Sequence, residues 1–274
     1  MIKRTAIILC GGKGTRLGSL SRQIPKCLVK IHSHPIIWFI INILKKNSFN
    51  HFILPVGYKG KMIKDYVKKD KLLKNLNIEI INTGINTSIA KRIFKVKNKI
   101  LSNNFTLLNG DAILDFNFQK KFDNHEKNNI DMTFLACEAK LNFGVVGKIK
   151  ERIVSFEREI NFNSVLKRNS KKFTAYVYSG ISIINKKILM NNFKTFDNFE
   201  KSFYPIIIKR FKTNLDHIHG SWNSIDNMKD IKDLNNKNNK ILSILNEKTQ
   251  RKNFTKSEDV FCLTLTHFLF LYLY

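Results

Sequence analysis

The sequence predicts an α/β protein with a mostly parallel sheet, and three observations predict it. In the first half, short apolar runs of strand length alternate with longer segments of helical pattern, the order that builds parallel strands under covering helices. In the second half, strand-like runs follow one another with few helices between them, which extends the same sheet in antiparallel or mixed fashion. A chain of 274 residues with 43% hydrophobic content also has enough apolar surface to bury a core.

Taken in order, "TAIILC" (5–10) is an apolar run ending at glycines, as a buried strand entering a loop does. "PIIWFIINILKK" (35–46) is too long for a usual strand. It starts at a proline suited to a first helical turn and ends in lysines suited to a helix C-terminus. "HFILPVG" (51–57) reads as a strand, "KGKMIKDYVKK" (59–69) as an amphipathic helix and "LNIEIIN" (76–82) as a strand. The alternation continues through "SIAKRIFKVKNKI" (88–100) and "FTLLNGD" (105–111). "DMTFLACEA", "GVVGKI", "RIVSFE" and "AYVYSGISII" supply the later strands, and helices resume at about 199–210 and 226–246. No repeat and no linker divides the chain, so one domain over 1–247 is expected, with 248–274 left as a polar, then apolar tail of no assigned role.

The composition limits the partners. A formal charge of +27, from 48 Lys+Arg against 21 Asp+Glu, invites a nucleic-acid reading. But the lysines are spread over every segment, without an arginine-rich block, and the charge is read as background that favours encounter with small anions. No nucleic-acid partner is expected. Cys10, Cys27, Cys137 and Cys262 lie far apart with no C-x-x-C, so neither a disulfide framework nor a zinc site is suggested. Lys3 and Arg4 lead into only six uncharged residues, too few for a signal peptide, and a cytoplasmic location is expected. From Val260 the run "VFCLTLTHFLFLYLY" is fifteen residues without a charge, short of the roughly 20 that span a bilayer. It is read as a docked terminal strand or helix, and no membrane span is expected.

The chemistry begins at "LCGGKGTRLGSLSRQIPK" (9–26). Glycines directly after a buried strand let backbone N–H groups approach a phosphate and form an anion-binding concavity. Two familiar loops fail on spacing. Gly12, Gly14 and Gly18 give G-x-G-x-x-x-G, not the dinucleotide fingerprint, with no helical pattern before about residue 35; and Gly14 is followed by Thr15-Arg16, not by the Lys-Ser/Thr of a P-loop. What remains is a glycine loop with Arg16 inside it and Lys26, held by Pro25, at the far end of an extended segment. Two cations of different shape bracketing a nest of N–H groups suit a polyphosphate. The competing reading is a glycine turn with two solvated basic residues, and it weighs more on Lys26 than on the loop.

These residues resemble the N-terminal signature of the sugar-1-phosphate nucleotidyltransferases, written G-G-x-G-T-R-L with P-K further on, and the resemblance runs to about residue 235. It implies a Rossmann-like (GT-A-like) three-layer sandwich with a mixed, mostly parallel central sheet and an active cleft above its strand ends. The implied reaction transfers NMP from an NTP to a sugar 1-phosphate with release of pyrophosphate, assisted by Mg2+. Arg16 and Lys26 would then be catalytic, with Cys10, Gly11, Gly12, Gly14, Thr15 and Gly110 at the nucleotide. For the metal, Asp111 at the end of "FTLLNGD" matches the family's strand-end aspartate, and Asp226 in "GSWNSIDNMKD" resembles its W-x-x-x-D aspartate. Read alone, each is equally a turn or helix-capping residue, Asp226 in particular. Asp115 is held as structural.

The resemblance also implies a sugar site. Gly144 in "NFGVVGKI" falls at a backbone contact to the sugar, Glu157 at its hydroxyls and Arg158 at its phosphate, where the family has F-x-E-K-P and this chain has "SFERE". Gly180 occupies part of the family's N-G-G segment without the asparagine. For the base, "NTGINTSIAKRIFKV" aligns without gaps to the pattern of the glucose-1-phosphate cytidylyltransferase branch, with Thr83, Gly84, Thr87, Arg92 and Val96 in matching places. That makes CTP the leading nucleotide, with Thr87 and Arg92 as nucleotide-binding residues. The branch's Gly-Gly is Ala90-Lys91 here, whose side chains are expected to narrow the base pocket. "PKCLVKI" and "FGVVGKI" look equally like guanylyl- and uridylyl-transferring relatives, and a thymidylyltransferase or a catalytically silent nucleotide-binding regulator are further alternatives. His32, His34, His217 and His219 are read as structural, and a homo-oligomer is left open.

Overall fold

The computed structural model describes residues 4–138, 145–149, 152–157, 176–192 and 199–236. The first apolar run becomes β1 (Thr5–Leu9), and its alternation sets the layers: Ala6 and Ile8 face one core, Ile7 the other, and all three are fully buried. The chain continues through α1 (Ser19–Gln23), β2 (Lys30–Ile31), β3 (His34–Pro35), α2 (Ile36–Lys46), β4 (His51–Val56), α3 (Gly60–Lys69), β5 (Ile78–Asn82) and α4 (Ile89–Val96). Then come β6 (Asn104–Asn109), β7 (Ala112–Asp115), α5 (Phe118–Lys127), β8 (Met132–Cys137), β9 (Val145–Ile149), β10 (Arg152–Glu157), β11 (Val177–Asn185) and α6 (Lys186–Asn192). A π-helical turn (Phe199–Phe203) runs into α7 (Tyr204–Arg210), followed by β12 (Thr213–His217), β13 (Ser221–Ser224) and α8 (Met228–Asn236).

Among the described residues, seven strands form the central sheet in the order β12-β8-β11-β6-β1-β4-β5. β1 lies parallel to both neighbours, with Ile7 opposite Ile53 and Leu107; β11 is antiparallel to both β6 and β8, so it alone of the seven opposes the rest. Helices cover both faces. On one, α2, α3, α5 and α8 pack their apolar residues; on the other, α4, α6, α7 and the turn before it do the same. α2 is apolar nearly all round and buries Ile36, Ile37, Phe39, Ile40, Ile41, Ile43 and Leu44, as a helix inside a layer must. Each such side chain contributes about 1.5–3 kcal/mol. This is the expected three-layer sandwich, with a mixed, mostly parallel sheet.

Three local expectations are corrected. Residues 15–26 are not extended: Thr15–Leu17 form a 3-10 turn, Ser19–Gln23 form α1, and Lys26–Leu28 form a second 3-10 turn. β9 and β10 do not extend the main sheet but pair with each other as a bulged antiparallel ribbon. The last helix starts at Met228, and Asn227 caps it, accepting from the N–H groups of Lys229 and Asp230, while the Asp230 carboxylate accepts from those of Asp226 and Asn227. This reciprocal cap relieves Asp226 of the capping role.

Parallel β1, β4, β5 and β6 all end at one edge of the sheet, where α/β proteins place their sites. A second ribbon lies at the same edge: β7 pairs antiparallel with β13, Ala112 opposite Ser224, and the Ile225 N–H donates to the Asp111 carbonyl at 3.0 Å. It joins segments more than a hundred residues apart.

Candidate functional site

The loops after β1, β5 and β6 enclose a cleft of about 670 Å³, lined by residues 9–16, 26–27, 85–89, 92 and 109–111. It therefore gathers Cys10, Gly11, Gly12, Gly14, Thr15, Arg16, Lys26, Thr87, Arg92, Gly110 and Asp111 from four separate stretches of sequence. Gly14 adopts φ 64°, open to glycine at little cost, and a Cβ there would come within 3.0 Å of the Lys26 Cβ. The glycine thus lets Lys26 fold back over the loop. At Gly11 a side chain would collide with the Arg92 guanidinium, so the two approach only because Gly11 has none.

Four charged groups meet at the mouth of this loop. Lys26 Nζ donates to Asp111 Oδ2 at 2.9 Å and to Asp226 Oδ1 at 3.0 Å, and Arg16 Nη1 donates to the same Asp226 oxygen at 2.8 Å. Ser224 donates to Asp226 Oδ2 at 3.0 Å and orients the carboxylate. Lys26 is mostly buried, with 15% of its side chain exposed, whereas Arg16 is 77% exposed. Partial burial pulls the Asp226 carboxyl upward, but the bond and charge of Lys26, the Ser224 hydroxyl and the Arg16 charge outweigh it and hold the group below the usual carboxylate range. Asp226 therefore carries its charge at neutral pH. At the same end of β1, where the strand enters the glycine loop, the Cys10 thiol is pushed well up by its hydrogen bond with Cys27, by burial and by the Cys27 and Asp111 charges, so it lines the cleft as a neutral group.

On the side of the cleft expected to meet the base, the structure shows what Arg92, Ala90 and Lys91 touch. Arg92 is buried on α4 and does not project into open space: Nη1 donates to the Val56 carbonyl and Thr83 Oγ1, and Nη2 to the carbonyls of Gly11 and Ile85. It clasps the ends of β1, β4 and β5 together. Ala90 and Lys91 do not narrow the pocket, because the first turn of α4 points Ala90 into the core and Lys91 outward; Ile85, Asn86, Thr87, Ser88 and Ile89 line that side. Thr87 donates to the Thr83 carbonyl at 2.7 Å.

On the expected sugar side, Gly180 lies on β11 beside Asn109, at a register irregularity between Tyr178 and Ile181. Gly144 and Arg158 lie outside the described residues, and Glu157 is described only as the last residue of β10, opposite Val145. Asp115 closes β7 opposite Ser221. His34 stacks on Trp38 at 3.9 Å, the His32 N–H donates to Asn235 Oδ1, and His217 and His219 face each other, Nδ1 to Nδ1, at 3.4 Å. Among the described residues no group of three or more His, Cys, Asp or Glu forms a metal cluster, and no helix is long and apolar enough to cross a membrane.

Sequence reasoning missed Cys27, Asn109, Ser224 and Asp230. Asp230 had a legible signal, its acidic side chain three positions beyond Asn227 at a helix start. The others depend on pairings the sequence does not spell out.

The family model for nucleotidyl transferases matches residues 5–241. A probable glucose-1-phosphate cytidylyltransferase of Bacillus subtilis is 32% identical over 160 residues, 52% of this chain and 63% of that protein, so the match spans less than two thirds of that relative. A D-glycero-alpha-D-manno-heptose 1-phosphate guanylyltransferase of Campylobacter jejuni is 30% identical over 76% of this chain and 86% of its own length. In fold, the chain resembles HddC from Yersinia pseudotuberculosis, solved as a complex with GMP-PN, with a TM-score of 0.64 at 23% identity over 85% of this chain and 99% of that one. The matched region takes in every strand of the central sheet and all the loops of the cleft, and the chain belongs to the nucleotidyl transferase family.

Proposed function

We propose that the chain is a sugar-1-phosphate nucleotidyltransferase. The observation that carries this is the meeting of Arg16, Lys26, Asp111 and Asp226 at the mouth of the glycine loop, each within 3.0 Å of another. Cations beside carboxylates over a nest of N–H groups are what transfer between polyphosphates requires. The donor set also fits a hard divalent ion: a cationic nitrogen already lies between two carboxylates, and Mg2+ is commonly held by one or two carboxylates plus substrate phosphates. Held by Asp111 and Asp226, Mg2+ would supply charge neutralisation at the phosphoryl oxygens.

The chain's own groups do the rest. Backbone N–H groups of the glycine loop cradle the triphosphate, while Arg16 and Lys26 offset the charge that builds on the α-phosphate as it is attacked. The attacker is an oxygen of the sugar 1-phosphate, already anionic near neutral pH because its second pKa is about 6, so no protein base is needed. A bond forms from that oxygen to the α-phosphorus, the bond from the α-phosphorus to the bridging oxygen breaks, and pyrophosphate leaves with the electron pair. Arg92 keeps the loops on the two sides of the cleft in register.

CTP is the favoured nucleotide, supported by Thr83, Gly84, Thr87, Arg92 and Val96 in the cytidylyltransferase pattern and by the identity to the Bacillus subtilis relative. GTP is the second reading, favoured by the heptose 1-phosphate guanylyltransferase that aligns over most of its length. CTP, GTP, UTP and dTTP should be incubated with glucose, mannose and heptose 1-phosphates and Mg2+, and pyrophosphate measured. The expected outcome is release with CTP above the others and its abolition by Asp111→Asn without loss of folding. No release with any pair, despite nucleotide binding, would favour a silent regulatory relative.

A further inference from the structure

The contacts of Lys26 match neither a free phosphate ligand nor a solvated lysine. Its ammonium is held between Asp111 and Asp226, the two carboxylates that would hold a metal. Pro25 (φ −68°) and the 3-10 turn that follows fix its backbone, and Gly14 packs against its stem. Lys26 is thus built into this place, while exposed Arg16 pairs with Asp226 and, among the described residues, with no second carboxylate. An ammonium and a divalent cation cannot share the space between two carboxylates.

We propose that Lys26 is a displaceable counter-ion that keeps the carboxylate pair closed to metal until a triphosphate draws the ammonium away, so that metal and nucleotide load as a coupled pair. This rests on the reading that Asp111 and Asp226 hold the metal. Without nucleotide, a metal must break both Lys26 contacts and leave the ammonium unpaired. With a triphosphate present, the ammonium exchanges carboxylate oxygens for phosphate oxygens and remains paired. By linkage, each ligand then raises the affinity of the other by the same factor.

The test is calorimetric titration of Mn2+ alone into the full chain and its Lys26→Met and Arg16→Met variants, each checked for cooperative melting. Lys26→Met should bind Mn2+ at least tenfold more tightly than the unmutated chain, and Arg16→Met less than threefold more tightly. Equal affinities for the unmutated chain and Lys26→Met overturn the proposal, as does an equal gain in both variants, which would reflect general charge removal. The same displacement can be read on the unmutated chain by acetylation with N-hydroxysuccinimide acetate and peptide mass spectrometry. Saturating Mn2+ should speed Lys26 labelling at least fivefold and leave Lys121, paired with Asp216 at 2.6 Å, unchanged. An unaltered Lys26 rate overturns the proposal. Pyrophosphate release is scored separately: a chain that shows the Lys26 effects but no release keeps the latch and refutes the catalytic reading, and the reverse refutes the latch alone.

Discussion

Arg92 illustrates how one buried side chain in the wall of the cleft ties its loops together. Its two terminal nitrogens satisfy four oxygens on three strand ends, and losing them strands buried acceptors. Arg92→Met is expected to cost about 3 kcal/mol, or roughly 6–12 °C in Tm, and to raise KM for the triphosphate more than it lowers kcat. Thermal melts and steady-state kinetics check this, and a lost kcat with unchanged KM would mean the guanidinium acts on the reaction itself. The residue's position was legible and its direction was not. Arg92 falls on the stripe of Ile89, Ile93 and Val96, three and four residues apart, and a charge on an apolar stripe is a sign of a buried, bonded side chain. Asp226 shows the converse, since a capping reading is natural from sequence until Asn227 is seen to cap the helix.

Among the elements, α5 and β8 are joined by a buried polar contact with a pH consequence. His125 is 1% exposed, its Nδ1 lies 2.8 Å from Thr133 Oγ1, and its Nε2 has no partner among the described residues. Burial holds its pKa down at about 4, opposed only in part by the Asp131 charge. The unfolded chain therefore takes up this proton first, near the ordinary 6.5, while the folded chain resists to about 4. Stability is lost as pH falls through that window, by up to about 1.4 kcal/mol per pH unit. Denaturant melts from pH 7 to 4 should show this slope in the unmutated chain and its removal in His125→Gln; parallel profiles would count against it. Elements of strong period, such as β1, α2, β4 and α3, were legible because burial enforces their pattern. β7 and β13 were not, because four-residue strands carry too few alternations to mark a face, and β9 and β10 read as sheet because a hairpin has the same local pattern wherever it docks.

At the scale of the whole molecule, the fold follows from the sequence more completely than the site does. Layering needs only apolar periodicity, whereas the site needs long-range pairing between residues with no local signature. The charge of +27 is also a property of the whole. If its field speeds the encounter with anionic substrates, kcat/KM for the triphosphate should fall several-fold between about 0.05 and about 0.5 M salt while kcat holds, because screening acts on approach. A salt-independent kcat/KM would leave the charge as composition alone. The β7–β13 ribbon has a consequence in time as well as in space. A growing chain that has emerged as far as Ile218 carries the glycine loop, Lys26 and Asp111, but not the strand that brings Asp226 to them. During synthesis the glycine loop, Lys26 and Asp111 are thus laid down early and Asp226 late, so the ion pairs that Asp226 makes with Arg16 and Lys26 close only after the chain has emerged past residue 226.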